Sequence, residues 1–545
     1  MTFALHGGEN MKFLDNKKFN NIYGKTLQGY NIIHGKDVAF GSETFLSKNP
    51  ADIEDIVGIF PMSGEKDILE ALEVAKNKFS MWKNTPAPVR AQIVGKLGEL
   101  VNQHKDALSK LMTREMGKTF KESQGSVQEV IDTCHFFQSE GRRLYGQTIP
   151  SEMRNKELFT YRKPYGVTAI ITPSNFPIAV ASWKAIPALL CGNTIVWKTP
   201  PEAPTIAYLF AKLWQQAGLP DGVMNVIHGD GKTGSLLMDQ VNHGRIQKVS
   251  FTGSTKVGKI IGEICGRNLQ TPSLELGGKN PLVVMDDANL DLALEGAIWA
   301  SFGTAGQRCT SAGNIIVHKK IANEFTNRFV QKAKQIKIGN AYRDHTVLYG
   351  PMIDEHYLMH FLEHFEKAKA DGAKLLYGNG RITKDNQPEN FSGDPSTGYY
   401  VWPAIWGNVK INQWIAQNEV FGPAVGILEI ESIEEAIEVA NGTPYGLSSA
   451  IYTNNRMHAY LFKTNVESGM CSINNSTTGA EAHLPFGGMK ASGNGTRESG
   501  IWVVDAYTQW QAVNDELSGK LQLAQMDTEH VVQSNQNFHW TDLVC

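Results

Sequence analysis

Apolar residues recur along this chain with two different periods, and the change from one to the other divides it. From Ser63 onward Ile68, Leu69, Leu72, Ala75 and Phe79 stand at helical spacing on one face of a helix. A second such run covers residues 89–116 and is closed by Gly117, and a third covers residues 127–141. The rhythm then alternates short apolar runs of β type (GVTAIIT, NTIVWK, MNVIHG, VSFTG) with helical stretches at residues 205–217 and 257–265. That alternation predicts a parallel sheet with helices on both faces. A second α/β series begins at Asn280, with PLVVMDD, a helix over 290–301, the strand NIIVHKK and a helix over 322–334, so two α/β lobes are expected. Residues 376–400 are rich in Gly, Asn, Asp and Pro and predict a long surface excursion. Residues 1–30 are polar and stay outside the predicted fold; the segment from Leu521 is polar and aperiodic, either a mobile tail or an arm on a neighbouring subunit.

At 545 residues, and roughly 150 residues per domain, a sizeable core in several units is expected. A net charge of −3, with Lys and Arg spread along the chain, supplies no field for a phosphate backbone or an anionic membrane. Neither nucleic acid nor membrane is an expected partner. The most apolar stretch, residues 167–191, is interrupted by Pro173, Asn175, Pro177, Lys184 and Pro187, and reads as a buried segment rather than a lipid-exposed span. The N-terminus lacks the apolar core and small-residue cleavage site of a secretory signal. Six scattered cysteines form no CxxC pair, which suits a reducing compartment; the expectation is a cytoplasmic protein with no metal site.

Several segments could carry chemistry. Gly229, Gly231 and Gly234 fit GxGxxG between a strand-like and a helix-like run, but no carboxylate follows at the distance a dinucleotide fingerprint needs. A glycine-rich turn is the preferred reading there. The better anion site is VSFTGSTKVG, where Thr252, Gly253, Ser254 and Thr255 bring hydroxyls and free N–H groups to a helix start; an ordinary Ser/Thr cap would look the same. Cys309, in FGTAGQRCTSAG, lies among small residues beside Arg308. Local N–H dipoles or that cation would lower its thiol pKa, although a free cysteine is commonly just a small buried hydrophobe. Glu275 alternates with Leu274 and Leu276 at a strand end, where apolar surroundings would raise its pKa toward a general base; a structural ion pair is the alternative. Asn175, between Pro173 and Pro177, has a restricted backbone that could aim its amide at an oxyanion, or could simply form a turn.

Taken in order, ITPSNFP, VWKTPPEAP, SFTGSTKVG, LELGGKNP, GQRCT, NEVFGP and LPFGGMKASGNG resemble the aldehyde dehydrogenase superfamily over residues 40–515. The resemblance implies an α/β fold with a Rossmann-like NAD(P)-binding domain (31–151 and 166–275), an α/β catalytic domain (276–497) and a β oligomerisation arm (152–165 and 498–520). An N-terminal extension (1–30) and a C-terminal tail (521–545) flank these. It implies Cys309 as nucleophile, Asn175 with the Cys309 backbone N–H as oxyanion hole, and Glu275 as the base that activates water. It places Lys198 at the adenosine ribose, Gly253 and Ser254 at the diphosphate, and Glu419 and Phe421 at the nicotinamide ribose. Thr172, Pro173, Gly231, Thr252, Gly258 and Leu276 complete the implied cofactor set. NAD is the expected cofactor with NADP admitted, because Pro201 stands where the family often has a glutamate that repels a 2′-phosphate, with Glu202 adjacent.

The segments MTREMGK, VQE, WKAIPALLCGN, GTAGQRCT, VLYGP and TTGAE are most similar to the semialdehyde group, including the α-aminoadipate semialdehyde type. That similarity implies that Glu129, Arg308, Gly479 and Ala480 meet the amino and carboxylate ends of a small-molecule aldehyde. AEAHLPFGG departs from the pattern after Glu481, so a broad-range aldehyde enzyme stays open beside it. A homodimer or homotetramer is implied. A CoA-acylating relative would lack the base seen as Glu275, and a crystallin-like structural protein would not need Cys309, Glu275 and Asn175 together.

Overall fold

The computed structural model describes residues 25–41 and 43–527. Its N-terminal helices follow the apolar periodicity, with two differences. The predicted helix over 89–116 is two, Ala87–Gln103 and Lys105–Met116, broken at His104, whose backbone (φ −102°, ψ 11°) leaves the helical region. The helix predicted from Val127 begins a full two turns earlier, at Phe120, and runs to Glu140. Residues 120–126 hold a single large apolar side chain, so periodicity is silent there. The start is instead fixed by a capping box, in which Thr119 accepts from the Glu122 N–H and Glu122 reaches back to the Thr119 N–H.

The βαβ rhythm of the middle of the chain builds a seven-stranded sheet in the order Ser273–Glu275, Lys248–Thr252, Val167–Ile171, Thr194–Lys198, Met224–Ile227, Asn31–Ile33, Lys36–Val38. The first five strands are mutually parallel, and the last two form an antiparallel hairpin on the edge. The hairpin turns through His34 and Gly35, both at positive φ (55° and 74°), the twist that two-residue turns favour. Val167–Ile171 and Thr194–Lys198 are buried at every position, as strands covered on both faces must be.

A second seven-stranded sheet runs Lys374–Tyr377, Ala404–Gly407, Ala424–Ile430, Ala312–His318, Asn280–Val284, Ser448–Tyr452, Met470–Ile473, parallel except at its first pair. A smaller sheet pairs Thr508–Glu516 with Lys156–Pro164 in antiparallel register from Thr508↔Pro164 to Glu516↔Lys156, with Thr148–Ile149 alongside. Leu27–Gln28, inside the stretch set outside the predicted fold, pairs in parallel with Gly58 and Ile59 of Asp52–Pro61, which also pairs with Thr44–Asn49. Two residues are too few to show alternation, so that strand had no sequence signal.

The excursion over 376–400 is tied down: Ser392 bonds back to Ile338, Ile382 is buried, and Arg381 bridges Val401. Of the tail, residues 521–527 are described, and Gln522 donates to the Arg154 carbonyl; the rest lies outside the described residues. No described helix is long and apolar enough to cross a membrane.

Candidate active site

The loops that follow Val167–Ile171, Lys248–Thr252 and Ser273–Glu275, at the C-terminal ends of the first sheet, face the loops that enter the strands of the second. Between them lies a cavity of about 1130 Å³. Crevices at strand C-termini are where open α/β sheets take ligands. Cys309, Glu275 and Asn175, far apart in sequence, all line it, together with Pro173, Thr252, Gly253, Ser254, Leu276, Glu419 and Phe421. Glu129, Arg308, Gly479 and Ala480 line it as well. Thr172, Lys198, Gly231 and Gly258 are not on its wall.

Each of those four has another setting. The Thr172 hydroxyl accepts from the Trp197 indole at 3.0 Å. Gly231 begins a helix whose N-terminus is already capped by Asp230, through the N–H groups of Lys232 and Thr233. Gly258 lies where a Cβ would come within 2.3 Å of the Leu276 side chain, so its role is close packing of the helix Thr255–Arg267 against that strand end. Lys198 is buried at the end of its strand, and burial lowers its pKa to about 8 against the pull of Glu202 and Asp230. Glu202, the residue next to Pro201, is pushed up to about 7 by burial and Asp354, while a bond to Ser174 and the nearby Lys198 oppose that.

Cys309 follows a short turn in which Thr304, Ala305 and Gly306 all have positive φ (53°, 52° and 67°). Its carbonyl accepts from Asn280 Nδ2 at 2.7 Å, and the same amide holds the Ser311 carbonyl at 2.7 Å. Asn280 Oδ1 in turn accepts from the Ser448 N–H. The Thr477 hydroxyl ties the loop ahead of Gly479 to the Thr310 carbonyl. Cys309 packs against a buried apolar cluster of Val180, Trp183, Leu447 and Phe486, as do Phe176, Met470 and Ala480.

The thiol does not have the lowered pKa that its neighbourhood in sequence suggests. Burial raises it to about 12, Glu419 and Glu275 add to the rise, and the N–H groups of Cys309 and Thr310 only partly oppose it. Arg308 gives no help, because its guanidinium is committed to Glu122 at 2.8 Å and to the Thr304 hydroxyl at 2.8 Å. A cation next in sequence is not next in space.

Glu275 is buried, and neither of its carboxyl oxygens has a side-chain hydrogen-bond partner. Burial holds its pKa well above the ordinary carboxylate range; the charge of Glu498 adds to this, and Lys184, Arg497 and the Gly488 N–H oppose it. Glu498 itself is in a buried ion pair with Lys184 at 2.6 Å, and Lys184 also bonds Ser250. An unpaired carboxyl in a cavity wall is free to hold a water.

Asn175 is fixed from two sides. Its Nδ2 donates to the Gln307 carbonyl at 2.9 Å, which leaves the second amide hydrogen available. Its own carbonyl accepts from Lys118 Nζ at 2.9 Å, and Lys118 also donates to Ser126 and stands 4.1 Å over the Phe176 ring. Burial pulls the Lys118 pKa down to about 7.

The other end of the cavity suits a phosphate-bearing cofactor. Ser254 caps the helix Thr255–Arg267, whose N-terminus opens on the cavity, and the Thr252 hydroxyl beside it is buried without a partner. Glu419 accepts from the Gly278 N–H at 3.1 Å, and a Cβ at Gly277 would strike its carboxylate. One face of the helix Glu355–Ala370 also lines the cavity with His356, Tyr357, His360, His364 and Lys367, which sequence reading missed. Their spacing of three or four residues was a signal, but one shared with any amphipathic helix.

Residues 38–513 match the Aldehyde dehydrogenase family, and the chain belongs to it. It is 37% identical over 484 residues to the α-ketoglutaric semialdehyde dehydrogenase of Bacillus subtilis (strain 168), covering 89% of this chain and 97% of that one. It is also 37% identical over 482 residues to retinaldehyde dehydrogenase 3 of Mus musculus, covering 87% and 90%. Among solved structures, betaine aldehyde dehydrogenase from Staphylococcus aureus in complex with NAD+ superposes with a TM-score of 0.87 at 28% identity, covering 94% and 99%. The chain is therefore an oxidoreductase that oxidises an aldehyde to the carboxylic acid with NAD(P).

Proposed function

We propose that Cys309 is the nucleophile, Asn175 with the Cys309 N–H the oxyanion donors, and Glu275 the general base. The observation that carries this reading is that the thiol, the amide and an unpaired carboxyl share one cavity wall with a helix N-terminus suited to a diphosphate. The thiol is protonated at rest, so its proton must leave before sulfur adds to the carbonyl carbon, and Glu275 is the acceptor within the cavity. The carbonyl oxygen becomes an alkoxide held by the free Asn175 N–H and the Cys309 N–H. A bound nicotinamide dinucleotide supplies the two-electron acceptor of the reaction. Glu275, once it has released the thiol's proton to solvent, takes a proton from the water that adds to the acyl group on sulfur, and returns it to the departing sulfur as the acid leaves.

The cofactor role is assigned to Gly253, Ser254 and the Thr252 hydroxyl for the diphosphate, and to Glu419 and Phe421 for the nicotinamide ribose, with Pro173 and Leu276 on the wall between. Lys198 would reach the adenosine ribose. Glu202 leaves that lysine only partly countered, which supports NAD with NADP accepted. The segments 31–151 with 166–275, and 276–497, are assigned as cofactor and catalytic units, each around one large sheet. The edge of Thr508–Glu516 that is unpaired among the described residues is assigned to self-association. A cytoplasmic location is proposed from the five free cysteines among the described residues.

For the substrate, the relatives that act on α-ketoglutaric semialdehyde favour an aldehyde bearing a distal carboxylate. The aromatic cluster around Cys309 favours instead a broad range of apolar aldehydes, as in the retinaldehyde relatives. Arg308 could offer a carboxylate only the N–H groups left over from Glu122 and Thr304. Specificity constants for α-ketoglutaric semialdehyde, succinate semialdehyde and aliphatic aldehydes separate the two readings, and equal constants would sink the carboxylate preference. Cys309→Ser is expected to abolish turnover while NAD binding, followed by fluorescence titration, persists. Undiminished dehydrogenase activity in that variant would refute the assignment of the nucleophile.

A further inference from the structure

A buried carboxylate in the first turn of the helix Phe120–Glu140 takes no part in the chemistry above. Glu122 Oε1 accepts from the Thr304 N–H at 2.7 Å, the Thr304 hydroxyl at 2.9 Å and Arg308 Nη2 at 2.8 Å. Its Oε2 accepts from the Thr119 N–H at 3.0 Å and the Thr119 hydroxyl at 2.9 Å. Burial pushes its pKa up, but Arg308, Lys118 and the Thr119 bonds outweigh that and keep it below the usual glutamate value. The carboxylate therefore stays charged. The Arg308 guanidinium is locked a second time, 4.4 Å from the Trp299 ring.

What this cluster grips is a turn that needs gripping. Thr304 and Ala305 hold φ of 53° and 52°, in the left-handed region that is strained for an L-residue. Such a conformation persists only where the surroundings over-determine it. The turn ends three residues before Cys309, and the Gln307 carbonyl between them is the one that anchors Asn175 Nδ2. Thr304, Gln307 and Arg308 thus connect Glu122 to both groups that must meet the substrate carbonyl.

We propose that Glu122 is a positioning residue for this reaction: it clamps the Thr304–Ala305 turn and Arg308, and so sets the Cys309 sulfur and the Asn175 amide at their working separation. Arg308 then belongs to the clamp rather than to substrate recognition. The inference rests on Cys309 being the nucleophile.

The test uses the full-length protein carrying Glu122→Gln, which keeps the shape but removes the charge and turns an amide donor toward other donors. Thermal unfolding and NAD titration establish that it is folded and binds cofactor. The rate of Cys309 alkylation by iodoacetamide and kcat are both expected to fall about tenfold to a hundredfold, with the KM for NAD within about twofold of the parent. A folded Glu122→Gln protein with parental alkylation and parental kcat overturns the clamp. If that variant does not fold, Glu122→Asp carries the same comparison, because it keeps the charge and withdraws it by one methylene: reduced rates support the clamp and parental rates overturn it. Failure of the nucleophile reading is seen separately, in parent enzyme that stays active after Cys309 is fully alkylated.

Discussion

The sulfur of Cys309 is surrounded by two carboxyl groups and an apolar cluster, and all of them favour its neutral form. In the ligand-free protein the thiolate, which is the species that alkylates, accordingly appears only as pH rises. Below a thiol pKa of about 12 its fraction grows with every step toward alkaline pH. Burial raises the pKa of Glu275, and once ionised its charge beside the sulfur slows that growth without reversing it. The iodoacetamide rate should therefore climb without a plateau from about pH 6 to pH 9, above the point at which an ordinary thiol is half ionised. A plateau near neutrality would show that the resting sulfur is already a thiolate.

Among the elements, the turn before Cys309 is the least forgiving. Gly306 has a φ of 67°, and a Cβ there would stand 2.1 Å from the Gly422 carbonyl, beside Phe421. Gly306→Ala should thus both strain the backbone, by about 1–3 kcal/mol, and push apart the turn before Cys309 and the segment after Glu419. The expected result is a lower denaturant midpoint with a kcat loss out of proportion to it; unchanged kinetics would show that the turn tolerates displacement. The helix Phe120–Glu140 bears on the same turn. Its true start was legible in the TFKE capping box, but apolar periodicity passed over it, and with it the carboxylate that holds the turn.

At the scale of the whole molecule, Lys156–Pro164 pairs with Thr508–Glu516, far away in sequence, and among the described residues the nine-residue strand Thr508–Glu516 keeps a free edge. Trp510 is 52% exposed on it, stacked 4.0 Å from the Arg162 guanidinium, and Trp502 is 47% exposed nearby in sequence. Long uncovered edges attract another strand. If this edge carries the self-association proposed above, Trp510→Glu should shift the protein toward monomer in sedimentation velocity; an unchanged distribution would overturn that assignment.

The α/β alternation, the two lobes and the order of the motifs were set by local residue chemistry, because βαβ periodicity and glycine-rich strand ends are properties of contiguous residues. The motifs around Cys309, Glu275 and Asn175 are contiguous too, and their resemblance to a family singled out three residues that the fold brings to one cavity. Their electrostatics were not legible there. Whether Arg308 activates a thiol or neutralises Glu122, and whether a glutamate at a strand end is paired or bare, depends on groups brought within a few ångströms from more than a hundred residues away. Burial and through-space charge are sums over those neighbours, and only the tertiary structure assembles them.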